Sequence, residues 1–230
     1  MTPTKKHIVI FSHGFGVRYD DLGLLSGPEG LAEALQAEGI ETVLFDYFII
    51  NEEKKTLTVR TLSETANMFR EVLEKTKQQY PDAIIDVIAH SQGTVNVAIA
   101  KPEGVRKVIF LAPVFDLSLE RTLKRYSTKP DTHIDLEGVS TLYAMGGYVR
   151  YIPKEYWPER ISVQPIPLYN ELAEATELIA IEANQDNVLE KVDLSELSEK
   201  VEVIGLDGDH SFNGEARAPL IANILDILKG

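Results

Sequence analysis

Three polar residues far apart in the chain, Ser91, Asp186 and His210, each stand just after a short apolar run, and they follow one another in the order serine, acid, histidine. Residues 84–89 form a run dominated by isoleucine and valine. It breaks at Ala89-His90-Ser91-Gln92-Gly93 into a stretch with helical spacing. A serine at the apex of a strand–turn–helix projects its hydroxyl clear of the sheet edge, and small residues two before and two after it, here Ala89 and Gly93, let strand and helix pass closely. Taken alone, the same serine is equally a helix N-cap, so other features must decide. Residues 177–183 form a buried-strand pattern followed by Asn184-Gln185-Asp186-Asn187, and residues 201–206 form another followed by Asp207-Gly208-Asp209-His210. Open parallel sheets carry their reactive groups past the C-terminal ends of the strands, so Asp186 and His210 are expected beside Ser91. In that constellation the histidine takes the serine proton and the acid orients the imidazole. Asp116, after Leu-Ala-Pro-Val-Phe, stands at another strand end and competes for the acid role. Asp207 and Asp209 flank the histidine too closely to face it, and are expected to shape its loop. His13 and His90 are expected to orient backbone.

An acyl-transfer site also needs donors for the oxyanion. The first strand pattern, residues 7–12, ends in His13-Gly14-Phe15-Gly16, whose turn can supply the N–H of Phe15. Gln92, directly after the serine and at a helix N-terminus, can supply a second N–H, aided by the helix dipole. Gly14 and Gly16 also open a dinucleotide-loop pattern, but its third glycine position is Tyr19, which argues against a bound dinucleotide.

These residues need strands to carry them. Strand patterns fall at about 7–12, 42–46, 84–89, 107–112, 177–183 and 200–206, and helical patterns near 28–38, 59–79, 91–100 and 214–228. Strands alternating with helices predict an α/β fold with a parallel sheet covered on both faces. In the 59–79 pattern Val59, Leu62, Ala66, Phe69, Val72 and Leu73 make one buried stripe. Pro28 and Gly39 punctuate the ends of the 28–38 helix. Between 114 and 170 the strand–helix rhythm stops. This segment holds Tyr126, Tyr143, Tyr148, Tyr151, Tyr156, Tyr169 and Trp157, with Met145-Gly146-Gly147 as a candidate hinge.

His-Gly-Phe at 13–15, Phe45-Asp46, His-Ser-Gln-Gly at 90–93, Leu-Ala-Pro at 111–113 and Gly-Asp-His-Ser-Phe at 208–212 occur in the order found in one superfamily. The chain resembles the α/β-hydrolase-fold serine esterases and lipases, most of all the small cinnamoyl/feruloyl-esterase-like branch. The resemblance implies an α/β-hydrolase core at 1–113 and 171–230, a mostly parallel sheet of about six strands, and a cap inserted at 114–170. It assigns Ser91 as nucleophile, His210 as general base, Asp186 as orienting acid, and Phe15 and Gln92 as oxyanion donors. Cap rings (Tyr126, Tyr143, Tyr148, Tyr151, Tyr156, Trp157) would either line an acyl or aryl pocket or pack the cap onto the core. Two departures stand out. Thr94 replaces a common second elbow glycine, and Tyr47-Phe-Ile-Ile-Asn-Glu-Glu replaces a glycine-rich stretch near the site.

The expected reaction is hydrolysis, through an acyl-enzyme, of a small-molecule ester with a short-to-medium or hydroxycinnamoyl-like acyl group. An acyltransferase or thioesterase would use the same residues. A peptidase would need cap carboxylates such as Glu155 and Glu159, and a binding module would tolerate a broken triad. A chain of 230 residues with 44% hydrophobic content suits one domain. The net charge of −13 argues against nucleic acid and anionic membrane as partners. With no cysteines and five scattered histidines, no metal site and no cofactor are expected. The first apolar stretch, Ile8–Phe11, is too short for a signal h-region, so a cytoplasmic protein is expected. The oligomeric state, a homodimer included, is left open.

Overall fold

A computed structural model describes residues 5–21, 23–127, 131–143 and 147–230. Met145 and Gly146 of the candidate hinge therefore lie outside the described residues. The chain runs β1 (His7–Ser12), α1 (Leu31–Ala37), β2 (Glu41–Val43), β3 (Ile49–Asn51), β4 (Thr56–Thr58), α2 (Leu62–Gln79), β5 (Ile84–His90) and α3 (Gln92–Ala100). It continues with β6 (Lys107–Leu111), α4 (Leu119–Ser127), β7 (Ser140–Tyr143), β8 (Val149–Ile152), α5 (Tyr156–Ser162), α6 (Pro165–Ala175), β9 (Glu177–Ala183), β10 (Val201–Leu206) and α7 (Arg217–Lys229).

Six strands make one sheet in the order β10-β9-β6-β5-β1-β2, every pairing parallel. Period-2 alternation decides which core each side chain joins. Ile10, Val87, Ala89, Val108, Phe110, Leu178 and Ala180 face α2, α3 and α6. Val9, Phe11, Ile88, Ile109, Leu111, Ile179 and Ile181 face α1 and α7. Both faces are apolar, as a sheet covered on both sides requires. This is the predicted parallel α/β core. The predicted strand at 42–46 is the shorter β2, and the predicted helix at 59–79 begins at Leu62. A capping box sets that start: the Thr61 hydroxyl accepts from the Glu64 N–H and the Glu64 carboxylate accepts from the Thr61 N–H. Val59 instead donates its N–H to the Tyr151 carbonyl.

A second, four-stranded sheet in the order β3-β4-β8-β7 has no counterpart in the sequence reading. It takes β7 and β8 from the 114–170 segment, β3 from residues 47–53, the stretch that departs from the family's glycine-rich pattern, and β4 from just after it. Strands of three and four residues are too short to display a readable period, which is why pattern reading passed over them.

Among the described glycines the tightest approach of other backbone lies where the chain passes from β5 into α3. A Cβ on Gly93 would sit 2.3 Å from the Ser12 carbonyl oxygen and 2.7 Å from that of His13, so only glycine fits. Gly93→Ala is expected to destabilise the protein by about 1–3 kcal/mol or to displace the β1 end, as overpacking does. Chemical denaturation of wild type and variant checks this, and an unchanged midpoint would contradict the close approach.

Candidate active site

Ser91 occupies the turn between β5 and α3 with φ 54° and ψ −129°, a conformation non-glycine residues rarely adopt. Its N–H donates to the Leu111 carbonyl on β6 at 3.0 Å, which fixes the apex to the neighbouring strand. Its side chain does not cap α3. The alternative of a simple N-cap serine is thereby removed.

The strand ends bring the other two residues to it. His210 Nε2 lies 2.9 Å from Ser91 Oγ, and His210 Nδ1 lies 2.7 Å from Asp186 Oδ2. With Nδ1–H donating to the carboxylate, Nε2 is left to accept from the hydroxyl. Asp186 is held by more than the imidazole, since its Oδ1 accepts the N–H groups of Val188 and Leu189. Burial alone would raise its pKa, but the His210 contact and these N–H bonds outweigh it and hold the carboxyl below its ordinary value. The competing acid Asp116 is turned elsewhere: it accepts from the Ser118 N–H and pairs with Arg121 at 3.0 Å. Asp207 accepts from the side chains of Asn184 and Gln185, and Asp209 accepts from the N–H groups of Ser211 and Asn213, so both shape the loops around the histidine.

The turn after β1 lies directly against the serine. A Cβ on Gly14 would stand 3.0 Å from Ser91 Cβ and 3.5 Å from Ser91 Oγ, so the turn that carries Phe15 packs directly against the serine. The N–H of Gln92 follows Ser91 at the start of α3. The Gln92 side chain accepts from the Tyr156 hydroxyl at 2.7 Å.

Two buried histidines stiffen this arrangement. His13 donates from Nδ1 to the Gly14 carbonyl at 3.0 Å and accepts at Nε2 from the Tyr47 N–H at 3.1 Å, so only its neutral form satisfies both partners. Burial pulls its pKa down to about 4. His90, pulled down to about 3 by burial with His210 alongside, donates from Nε2 to the His210 carbonyl at 2.8 Å. Both act on backbone, as expected from sequence.

Other contributors went unread in the sequence. Thr94, the departure from the elbow glycine, places its Oγ1 2.7 Å from the Ser91 carbonyl and 2.8 Å from the Tyr169 hydroxyl, tying the elbow to α6. Arg150 on β8, 8% exposed, donates to the Gly16 carbonyl and lies 5.3 Å from the centroid of the Phe15 ring. A Cβ on Gly16, where φ is 67°, would collide with that guanidinium. The alternation of Arg150 with exposed Tyr151, and its shared face with buried Ile152, was the available signal.

Of the rings singled out in the 114–170 segment, the structure brings Tyr156 and Tyr126 to the site: Phe15 stacks on Tyr156 at 5.5 Å and meets Tyr126 edge-on at 6.4 Å. Tyr143 and Tyr151 stand 59% and 38% exposed. Tyr148 hydrogen-bonds Glu52 beneath the Lys55 ammonium, and Trp157 is buried with its Nε1–H donated to Ser140. Glu159, once a candidate for gripping an amine, accepts from the Ser63 N–H at the start of α2. Among the described residues no group of three or more His, Cys, Asp or Glu side chains is arranged to hold a metal ion. No helix there is long and apolar enough to cross a membrane.

A family model described as an alpha/beta hydrolase of unknown function (DUF900) matches residues 1–143. No curated protein sequence matches the chain. Among solved structures, Est1E from Butyrivibrio proteoclasticus is 16% identical, with a TM-score of 0.69 over 100% of this chain and 91% of Est1E. Its complex with ferulic acid gives a TM-score of 0.70 at 15% identity, covering 100% and 92%. The Pyrococcus furiosus esterase Pf2001 gives 0.67 at 15% identity, covering 98% of this chain and 81% of that one. At such identities the likeness is one of fold.

The neutral histidines make stability depend on pH. Their folded values lie below the ordinary histidine value of 6.5, so the stability they confer is complete above that pH. It is lost as pH falls from 6.5 toward 4, where the unfolded chain binds protons that the folded chain does not. Urea unfolding at pH 7.5 and 5.0 is expected to reveal a loss of a few kcal/mol, on the order of 1.4 kcal/mol per pH unit for each group. His13→Gln should be less stable at pH 7.5 but show a smaller loss between the two, and an equal loss in both proteins would refute the assignment.

Proposed function

The chain belongs to the alpha/beta hydrolase family of unknown function whose model matches it, and from that premise we propose that it is a serine carboxylic-ester hydrolase working through an acyl-enzyme. The observation that carries this reading is the unbroken line Ser91 Oγ, His210, Asp186 with contacts of 2.9 and 2.7 Å. In it His210 Nε2 takes the Ser91 proton as Oγ attacks the ester carbonyl carbon. Asp186 holds the Nδ1–H tautomer and stabilises the imidazolium. The carbonyl oxygen becomes an oxyanion held by the N–H groups of Phe15 and Gln92, donors worth roughly 3–4 kcal/mol each in such sites. The imidazolium returns its proton to the departing alkoxide, leaving the acyl group on Ser91. Water then attacks that acyl group with His210 again as base, and the acid is released with Ser91 restored.

The carboxylic-ester class is supported by two of the similar structures, Est1E with ferulic acid bound and the Pyrococcus furiosus esterase Pf2001. A short-to-medium or aromatic acyl group is favoured because the half-buried Phe15 ring, backed by the buried Tyr126 and Tyr156, lies in the turn packed against Ser91, and apolar burial gains about 25 cal/mol per Å². In this reading residues 114–170 form the cap, and of its six rings Tyr126 and Tyr156 pack against Phe15 at the site. The buried Arg150 and the Tyr156–Gln92 contact then let the cap steady the oxyanion donors.

A panel of p-nitrophenyl esters of graded chain length beside methyl ferulate and an acyl-CoA tests the class directly. Turnover of an ester with labelling of Ser91 by a fluorophosphonate is expected, and Ser91→Ala should lower kcat on the order of a million-fold while the fold survives. Exclusive turnover of the acyl-CoA would move the reading to a thioesterase, and failure of the intact protein to label would sink it.

The acid assignment has its own check. Asp186→Asn would favour the wrong imidazole tautomer and is expected to lower kcat by about ten-thousand-fold, against less than about tenfold for Asp116→Asn. A reversed ranking would hand the acid role to the end of β6.

A further inference from the structure

The cleft beside Asp186 carries a charge opposite to that of the molecule. The chain has 36 acidic and 23 basic residues, yet this opening of about 730 Å³ is walled by Arg121, Lys124 and Arg125 of α4, Arg160 of α5 and Lys191. On α4 the buried Thr122 and Tyr126 face inward, one turn apart, so the basic side chains take the flank that borders the opening. Three carboxylates share the walls, and each is engaged. Asp186 holds His210, Asp116 holds Arg121, and Glu190 spans Lys124 at 2.7 Å and Arg121 at 3.7 Å. Arg160 donates to the Leu117 carbonyl at 2.7 Å, and among the described residues no carboxylate lies within 4.0 Å of it. The inner wall is apolar, with Phe115, Tyr126 and Leu189.

The cleft takes in Asp186 of the triad, and its Tyr126 meets edge-on the Phe15 ring of the turn packed against Ser91. Apolar lining on the side of the serine together with five basic side chains suits a substrate that is apolar near the scissile bond and negative further out. We propose, resting on the ester-hydrolase reading above, that this cleft selects esters bearing a carboxylate remote from the reacting carbonyl, with Arg160 and Arg125 as the groups that meet it. The overall charge of −13 does not oppose this. At physiological ionic strength charges are screened over about 8 Å, so the side chains lining the cleft govern the bound group. Guanidinium groups are suited to the task because their planar donors match a carboxylate in pairs.

Two pairs of esters matched in carbon chain locate the charge. Monomethyl glutarate against methyl valerate places it on the acyl half, and 4-acetoxybutanoate against butyl acetate places it on the alcohol half. In one of the two pairs the charged ester is expected to have a kcat/KM at least tenfold above its neutral counterpart, with the preference shrinking at 0.5 M salt. Arg160→Gln and Arg125→Gln should each lower that ratio about tenfold or more, while Lys75→Gln, on the exposed face of α2, leaves it unchanged. Arg125→Gln guards against a folding defect from the lost Leu117 contact, and thermal unfolding of both variants confirms that the fold is intact. Equal or faster turnover of the neutral ester in both pairs overturns the proposal, as does a ratio that neither arginine variant changes. Ser91-dependent hydrolysis of the neutral esters in that case leaves the ester-hydrolase reading standing. Absence of turnover for all four esters, with no labelling of Ser91, removes both.

Discussion

The structure depends on one close approach of backbone to backbone. The first turn of α3 lies so near the end of β1 that the Cβ of any residue but glycine at 93 would strike the carbonyl oxygens of Ser12 and His13. That proximity forces the chain to turn sharply out of β5, and the turn holds Ser91 at a positive φ with its hydroxyl standing above the sheet. The same proximity brings the turn after β1 against the serine, so Ser91 and the backbone at Gly14 are parts of a single contact. Strain of this kind costs about 1–3 kcal/mol and survives only where surrounding bonds over-determine it.

Those bonds come from polar groups sealed inside the sheet ends. The Ser12 hydroxyl donates to the Gly93 carbonyl at 3.0 Å and meets the Tyr47 hydroxyl at 2.7 Å, which fastens β1, the chain after β2, and α3 together. Thr94 and Tyr169 do the same between the elbow and α6, and the Tyr169 hydroxyl also donates to the Val114 carbonyl. The neutral imidazoles of His13 and His90 bridge backbone groups that would otherwise be buried without partners, each of which would cost about 1–3 kcal/mol. The opposite end of the sheet is tied by charge instead: the buried Asp86 carboxylate takes the Arg106 guanidinium and the His7 ring. Burial would raise its pKa, and these partners reverse the direction.

The small sheet extends this bracing to the site. Arg150 reaches from β8 to the Gly16 carbonyl, and Tyr156 of α5 reaches to the Gln92 side chain, so residues of the 114–170 segment hold both the Gly16 backbone and the residue after Ser91. The guanidinium is costly to bury, and burial lowers its pKa. Its placement over the Phe15 ring and against Gly16 explains why residue 16 has no side chain.

The local pattern of the sequence was enough for the six parallel strands, because neighbours such as Val87-Ile88, Val108-Ile109 and Leu178-Ile179 put apolar side chains on both faces, as a sheet covered twice requires. It was enough also for the strand–turn–helix at Ser91 and for polar residues at strand ends, since small residues and strand termini are local features. What decided between Asp186 and Asp116 was tertiary: both follow strands, and only the fold turns one toward His210 and the other toward Arg121. The small sheet escaped notice because its strands of three and four residues carry no period of their own, and the pairing of β4 with β8 that joins its two hairpins spans more than 80 residues. The rings of the 114–170 segment were equally ambiguous, since a tyrosine bound for the site and one bound for solvent look alike until Tyr156 is found against Gln92 and Tyr143 in water. Chain-local chemistry determined the elements and the candidates, and long-range packing chose among the candidates, because only packing brings residues distant in sequence within hydrogen-bond reach.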